Sequence, residues 1–370
     1  MKDSQINPQE HSEIKVKLLK LYLEKYISIL SLAKGINEVD VYDLFCGEGL
    51  YENGKEGSPV IILKLIKEIF YRNKINNNTS VKFNCHFNDI ELNKIEKLSE
   101  YIKNKKIHYN EIGTLEFYNF DYQTLKNSIL QNRKISKKKS FIFIDPYGYK
   151  EISINDIKGL LSDYNTEVLL FIPTQFLYRF KNDAKCVYDF LHEILTDIEI
   201  GQSSSGIDFI HKLRGGFEKK LEKKHYVDSF IISRNINQYF ALFFFTSHLY
   251  GFEKFLEAKW QIDEEEGRGW NSTFNKPNLF SLNSNRPNTD QFQEKLLCFL
   301  EDYRTNIEIH KFTIENRHLT KHTSFILKEF QKENKLEVIL IDGTPARKGS
   351  FYIGWNEVKT KKIKCKIKLK

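Results

Sequence analysis

Glu38-Val-Asp-Val-Tyr-Asp-Leu-Phe-Cys-Gly-Glu-Gly-Leu50 runs from an apolar strand straight into a Gly-x-Gly turn, with Asp43 near the point where the strand gives out. Glycines let a backbone pass close to a ligand, and an acid at a strand end can engage that ligand. No Lys-Ser/Thr follows, so the turn is not a phosphate-cradling P-loop. Without a third glycine the dinucleotide fingerprint is also incomplete. An ordinary strand-to-loop turn is the plain alternative, and the rest of the chain has to decide.

Downstream, the pattern repeats. Ser58-Pro59 opens a helix through about Asn73, with Ser as cap and Pro at the first helical position. Val81–Asn88, Leu115–Phe120, Ser140–Ile144 and Val168–Ile172 read as strands, separated by helical stretches over Glu91–Lys103, Tyr122–Asn132 and Ile154–Ser162. Strands without polar alternation, separated by helices, predict a parallel sheet covered on both faces. Val227–Ser233 and Tyr239–Ser247 are joined only by Arg-Asn-Ile-Asn-Gln, too short for a parallel crossover, so they form an antiparallel hairpin. Parallel units finished by such a hairpin describe an α/β, Rossmann-like class I methyltransferase sheet. Upstream, Ser12–Ala33 reads as an amphipathic lead-in helix.

The expected organisation is an α/β domain over 1–263 with a helical insertion at about 174–225, a linker over 264–289 rich in Asn, Ser, Gly and Pro, a winged helix over 290–358 and a basic tail over 359–370. In the winged helix, Phe292, Leu296, Phe299, Leu300 and Tyr303 form a helical stripe. A short piece Thr313–His318 precedes a helix over Lys321–Glu333, and Leu336–Ile341 and Phe351–Trp355 form a hairpin tipped by Arg347-Lys348-Gly349. Within the insertion, Phe176, Leu177, Phe180, Phe190 and Leu191 form helical apolar stripes that read as core rather than as an aromatic platform for bases.

Composition narrows the class. Fifty-seven Lys and Arg against 49 Asp and Glu leave a charge of +8, which favours polyanionic partners, and 29 Phe with 19 Tyr give ample apolar surface to bury. Apolar runs such as Ala241–Thr246 are far shorter than the roughly 18–20 residues a membrane span needs. Charges run through Met1–Lys15, where a signal peptide would be apolar, so the expectation is a cytoplasmic protein without a membrane partner. The five cysteines are scattered, with no CxxC pair, and read as reduced thiols; no metal site is expected.

The strand ends supply the candidate site. A charged methionine-derived cofactor suits the first turn better than a pyrophosphate. The second strand ends in Asn88-Asp89-Ile90-Glu91, where Asp89 or Glu91 would accept hydrogen bonds from ribose hydroxyls, although Asp89 also stands where a helix N-cap would. Asp121, after the third strand, could reach an adenine amino group or cap the next helix. Asp43, Phe45, Gly47, Gly49, Asn88, Asp89, Glu91 and Asp121 are thus the expected cofactor residues. The fourth strand ends in Asp145-Pro-Tyr-Gly-Tyr-Lys150. An acid, a stiffening proline and an aromatic are the parts needed to hold an exocyclic amine, so Asp145, Pro146, Tyr147 and Lys150 are the expected catalytic residues. The amine is weakly basic, and Asp145 with the Pro146 carbonyl would draw its lone pair toward a methyl donor. Arg317, Lys321, His322, Arg347 and Lys348 form the expected nucleic-acid face, reinforced by seven lysines of the tail.

Taken in order, DLFCGEGLYENGKEGSP (43–59), FNDIE (87–91), FIDPYGYK (143–150), TEVLLFIP (166–173) and KWQID (259–263) resemble the three-Cys-motif partner protein family, over about residues 12–358. The resemblance implies a methyltransferase-like domain, an S-adenosylmethionine site at Asp43, Gly47, Gly49 and Asp89, and a genomic partner carrying a radical-type three-Cys motif. The Asp145-Pro-Tyr-Gly element also resembles the Asp-Pro-Phe-Gly of tRNA guanine-N2 methyltransferases, over four residues, and lacks the second proline of the Asp-Pro-Pro-Tyr pattern.

Overall fold

The computed structural model describes residues 10–51, 53–76, 81–135, 138–146, 152–182, 184–222, 224–235, 238–271 and 287–370. The chain divides into two compact units, Met1–Gly251 with Arg268–Asn278, and Phe252–Gly267 with Leu279–Lys370. Among the described residues, no helix is long and apolar enough to cross a membrane.

The first unit opens with α1 (Glu10–Leu30). Then β1 (Glu38–Asp43), α2 (Ser58–Ile75), β2 (Lys82–Asn88), α3 (Leu92–Asn104), β3 (Leu115–Tyr118), α4 (Tyr122–Ile135), β4 (Lys139–Ile144), α5 (Ile154–Leu161) and β5 (Thr166–Ile172) alternate. The described residues of the insertion form four helices, α6 (Thr174–Arg179), α7 (Lys185–His192), α8 (Asp197–Gly201) and α9 (Gly206–Lys220), and the hairpin is β6 (Tyr226–Asn235) and β7 (Gln238–Thr246). The sheet order is β3-β2-β1-β4-β5-β7-β6-β8, with β1 to β5 parallel and β7 antiparallel to β5 and β6. That is the class I methyltransferase sheet, and its order reverses between β1 and β4, where ligands of such sheets bind. β5 is buried along its whole length, which is why its sequence shows no polar alternation.

Local physics moves some boundaries. Ser58 is not the cap of α2: the Gly57 amide donates to the Gly49 carbonyl (2.8 Å), Gly57 takes the cap position, and Ser58 becomes the first helical residue. α10 (Leu249–Ile262) follows the hairpin, and β8 (Gly269–Asn271), inside the expected linker, pairs parallel with β6 at Ile231–Ser233. Residues 272–286 of that linker lie outside the described residues.

The second unit contains α11 (Asp290–Phe299), β9 (Arg304–Thr305), α12 (Asn306–Glu315), α13 (Thr320–Lys332), β10 (Leu336–Leu340), α14 (Trp355–Lys359) and β11 (Cys365–Leu369). The helix expected over Thr313–His318 begins at Asn306, because Thr305 and Glu308 form a capping box. The strand returning to β10 is not Phe351–Trp355 but β11, which lies in the expected tail and forms the centre of the sheet β10-β11-β9. Cys365 and Ile367 face the core while Lys366 and Lys368 alternate with them on the other side, so part of the lysine run is the outer face of a strand. Phe351 and Ile353 are apolar because they too are buried in that core, without strand pairing.

Candidate functional site

The carboxyl ends of the parallel strands β1, β4 and β5, with α1 and the start of α2, border a cavity of about 280 Å³, lined among others by Lys15, Phe45, Gly47, Ser58, Asp145 and Phe171. That is just under the ~300–1,000 Å³ usual for small-molecule sites. Gly47 and Gly49 both have positive φ, +62° and +79°, as the turn requires. A Cβ on Gly49 would stand 2.4 Å from Leu98 Cδ1, so this glycine lets the loop pack down on α3. A Cβ on Gly47 would meet nothing within 4 Å, so that backbone faces open space in the cavity wall.

Asp43 and Asp89 share zero exposure but differ in what they touch. The Asp89 carboxylate is engaged by backbone: the Gly47 amide donates to Oδ2 (3.0 Å) and the Glu91 amide to Oδ1 (2.9 Å). Asp89 thereby ties the glycine turn to the end of β2. Asp43 Oδ1 accepts a long bond from the Phe45 amide (3.4 Å), the Ser58 hydroxyl stands near the carboxyl, and Oδ2 has no hydrogen-bond partner among the described residues. Burial pushes its carboxyl up to about 7, assisted by the Asp145 charge and opposed by Ser58, the Phe45 amide and Lys15.

Other expected cofactor residues have structural duties. Asn88 is buried and ties three strand ends, donating to the carbonyls of Leu44 and Phe120 (3.1 Å each) and accepting from the Phe120 amide (3.0 Å). Glu91 caps α3 by position and pairs with Lys94 (2.5 Å). Asp121 accepts from the Thr124 amide (3.0 Å) and hydroxyl (2.5 Å), the capping alternative, and these bonds hold its carboxyl below the usual range. Phe45 lines the cavity and stacks on Tyr122, with ring centroids 5.9 Å apart.

Asp145 and Pro146 stand at the cavity; Tyr147 and Lys150 lie outside the described residues. The register pairs Ile144 with Leu170, which places Phe171 beside Asp145. Lys15 of α1 forms an ion pair with Asp145, and its ammonium stands 4.4 Å over the Phe171 ring. Ser12 lines the same cavity, and so does Tyr51, whose phenol burial pushes up to about 12. The contribution of α1 was not read from the sequence, yet a trace is there. Ser12, Lys15, Leu19, Tyr22 and Tyr26 follow helical 3-4 spacing, so two polar residues head an otherwise apolar stripe. Deeper along that stripe, Tyr22 donates to the buried Glu167, which also accepts from Thr246 (2.8 Å); burial pushes Glu167 up to about 7.

In the second unit, Lys321, Arg347 and Lys348 are exposed and Arg317 is half-buried. Arg347 and Lys348 occupy a turn in which the Ser350 amide donates to the Arg347 carbonyl (3.0 Å), held to α13 by the Gly349 amide on Gln331 Oε1 (2.8 Å). His322 departs from the expected cationic face. It is buried, its Nδ1 accepts from the Leu319 amide at the start of α13 (3.3 Å), and Trp260 packs on its ring at 4.4 Å. Burial, with His318 and Lys321 nearby, drives its pKa down to about 3, so it is neutral and offers no charge to a phosphate.

No protein-family model matches the chain, and no curated protein matches it. Among solved structures it is similar to Trm1 from Pyrococcus horikoshii in complex with S-adenosyl-L-methionine, at 10% identity and a TM-score of 0.36, covering 70% of this chain and 61% of that one. An rRNA methylase from Streptococcus thermophilus matches at 9% identity and 0.30, covering 60% and 93%. An O-methyltransferase from Bacillus cereus in complex with SAH matches at 11% and 0.32, covering 66% and 93%. The fold assignment rests on the strand order itself, and at these scores the likenesses carry no further weight.

Proposed function

We propose that the chain is an S-adenosylmethionine-dependent methyltransferase acting on an exocyclic amine of a nucleic-acid base, together with a three-Cys-motif partner. The observation that carries this reading is the pairing of Gly47, whose backbone opens on the cavity, with Asp43, whose buried Oδ2 has no hydrogen-bond partner among the described residues. An orphaned carboxylate oxygen fits a cationic ligand group, and an open glycine backbone fits close approach. When bound, the donor would supply a methyl group on a positively charged sulfur.

In this reading Asp43 holds the donor's cationic end, and Asp89 acts indirectly by fixing the Gly47 turn. Asp145 accepts a hydrogen bond from the substrate amine and would take up the proton that the nitrogen loses on receiving the methyl group, whose former bonding pair would stay on the donor's sulfur. Pro146 stiffens the turn and Tyr147 stacks on the base, with Lys150 near phosphate. Lys15 must release Asp145 for this to happen. The second unit's order of helix, strand, two helices, a strand, the Arg347-Lys348 turn, a short helix and a returning strand supports a winged helix, which we assign to nucleic-acid docking through Arg317, Lys321, Arg347 and Lys348.

The Lys15–Asp145 pair also favours a second reading, in which the acid is permanently occupied and the chain is a non-catalytic binding subunit. Incubation with tritiated S-adenosylmethionine and total cellular RNA or DNA, with and without the partner, separates the two. Label that enters nucleic acid and is lost in Asp145→Ala supports the enzyme; no label under any condition supports the subunit.

A further inference from the structure

Of the five insertion residues expected in the core, Leu177, Phe190 and Leu191 are buried, but Phe176 is 44% and Phe180 38% exposed. Phe176 on α6 and Phe180, the residue that caps its C-terminus, have ring centroids 4.7 Å from each other. The helix is pinned from its other side. Leu177 is fully buried, the Tyr178 ring packs on Phe209 at 5.6 Å, and the Thr174 hydroxyl donates to the Tyr239 carbonyl (3.1 Å). Both rings are therefore held partly exposed on a fixed backbone.

Their place and charge say what they would meet. Phe171, which lines the cavity beside Asp145, precedes Phe176 by five residues, a chain reach of at most ~18 Å. Residues 174–185 carry Arg179, Lys181 and Lys185 against one acid, Asp183. The Arg179 guanidinium carbon lies 6.0 Å from the Phe180 ring, and the Lys181 ammonium lies 4.5 Å over the Tyr178 ring while donating to the Ile200 carbonyl (3.1 Å). Exposed aromatic faces interleaved with cations are what sequence-tolerant binding of single strands uses: every base has a face to stack and every phosphate a charge.

We infer that Phe176 and Phe180 form a stacking site for unpaired bases flanking the one held at the strand ends, so that the substrate is a single-stranded or locally opened nucleic acid. This rests on the reading of that cavity as a base-modifying site. A protein partner would cover the same rings, but three cations to one acid match a polyanion.

The test uses the full-length chain and fluorescence anisotropy with labelled 12-nucleotide single-stranded RNA, single-stranded DNA and a duplex of the same sequence. The double variant Phe176→Leu with Phe180→Leu keeps the helix apolar. It should lose at least about tenfold in affinity for one or both single strands, the scale of one lost stack, with little change for the duplex and an unchanged salt slope. Phe176→Tyr with Phe180→Tyr should retain binding, which separates stacking from misfolding. Single-strand affinity within twofold of the parent in the leucine variant, or an equal loss on the duplex, overturns the inference. Calorimetric binding of S-adenosylmethionine should be the same in parent and leucine variant. If the parent shows no donor binding yet the stacking loss is seen, the cavity reading fails and the stacking site stands.

Discussion

Asp43 and Asp89 of the first unit have no exposed surface, whereas Lys321, Arg347 and Lys348 of the second stand in solvent. The buried acids are positioned by neighbouring strand ends, and burial raises the Asp43 carboxyl; the exposed cations sit in high dielectric, where salt screens them. The contrast separates two kinds of recognition. A site built from buried groups is intolerant of single substitutions and sensitive to pH. A surface built from exposed charge gives way in small increments and is sensitive to salt.

The largest expected effect is at Asp43. In the folded chain its carboxyl titrates near 7 rather than near 3.8, so the native state holds the proton more tightly and stability is lost as pH rises between about 4 and 7. Asp43→Asn removes that penalty. Its thermal midpoint should exceed the parent's at pH 8, by roughly 2–4 °C per kcal/mol regained, and the difference should shrink at pH 5. Glu167, raised to about 7 by burial, leaves both proteins a residual loss over the same window. The variant should nevertheless bind S-adenosylmethionine about 10- to 100-fold more weakly, the scale of one lost hydrogen bond to a charged group. A variant that is stabler but binds less well marks a functional acid; one that is less stable would mark a structural one.

Asp89→Asn should act next. It sets an amide group against the Gly47 and Glu91 amides, where a carboxylate now accepts from both. A loss of ~1–3 kcal/mol in urea denaturation is expected, with donor affinity falling indirectly. If stability holds and only binding falls, Asp89 contacts the ligand itself.

The sheet was legible because its strands are apolar runs bounded by turn residues, and the hairpin because five residues cannot make a crossover. Asp145 and Asp43 were both singled out because strand ends at a switch point are places a ligand can reach; Asp145 does line the cavity, whereas the Asp43 carboxylate is wholly buried behind it. Lys15 was not, since its role depends on how α1 packs across the sheet, a contact 130 residues distant in sequence. β11 was hidden by its own composition: alternate lysines read as a charged tail until Cys365 and Ile367 are seen to be buried between them. His322 and Asp121 share a different cause. Each can cap a helix or meet a ligand, and capping is the local option.

The exposed surface supplies the smaller effects. Arg347→Gln with Lys348→Gln should lower the slope of log affinity against log salt by about two units on duplex DNA if both touch phosphate, leaving the fold unchanged. An unchanged slope would remove this turn from the interface. His322→Gln should leave the slope as it is and lower the thermal midpoint, because the ring is neutral and part of the interior.

Isothermal titration calorimetry with S-adenosylmethionine and its demethylated product, on the folded full-length chain across pH 6 to 8, tests the central claim most directly. The account predicts measurable binding that strengthens as pH rises through about 7, as Asp43 ionises toward a cationic ligand, and that loses this pH dependence in Asp43→Asn. No heat with either ligand, or affinity indifferent to both pH and Asp43, would contradict it.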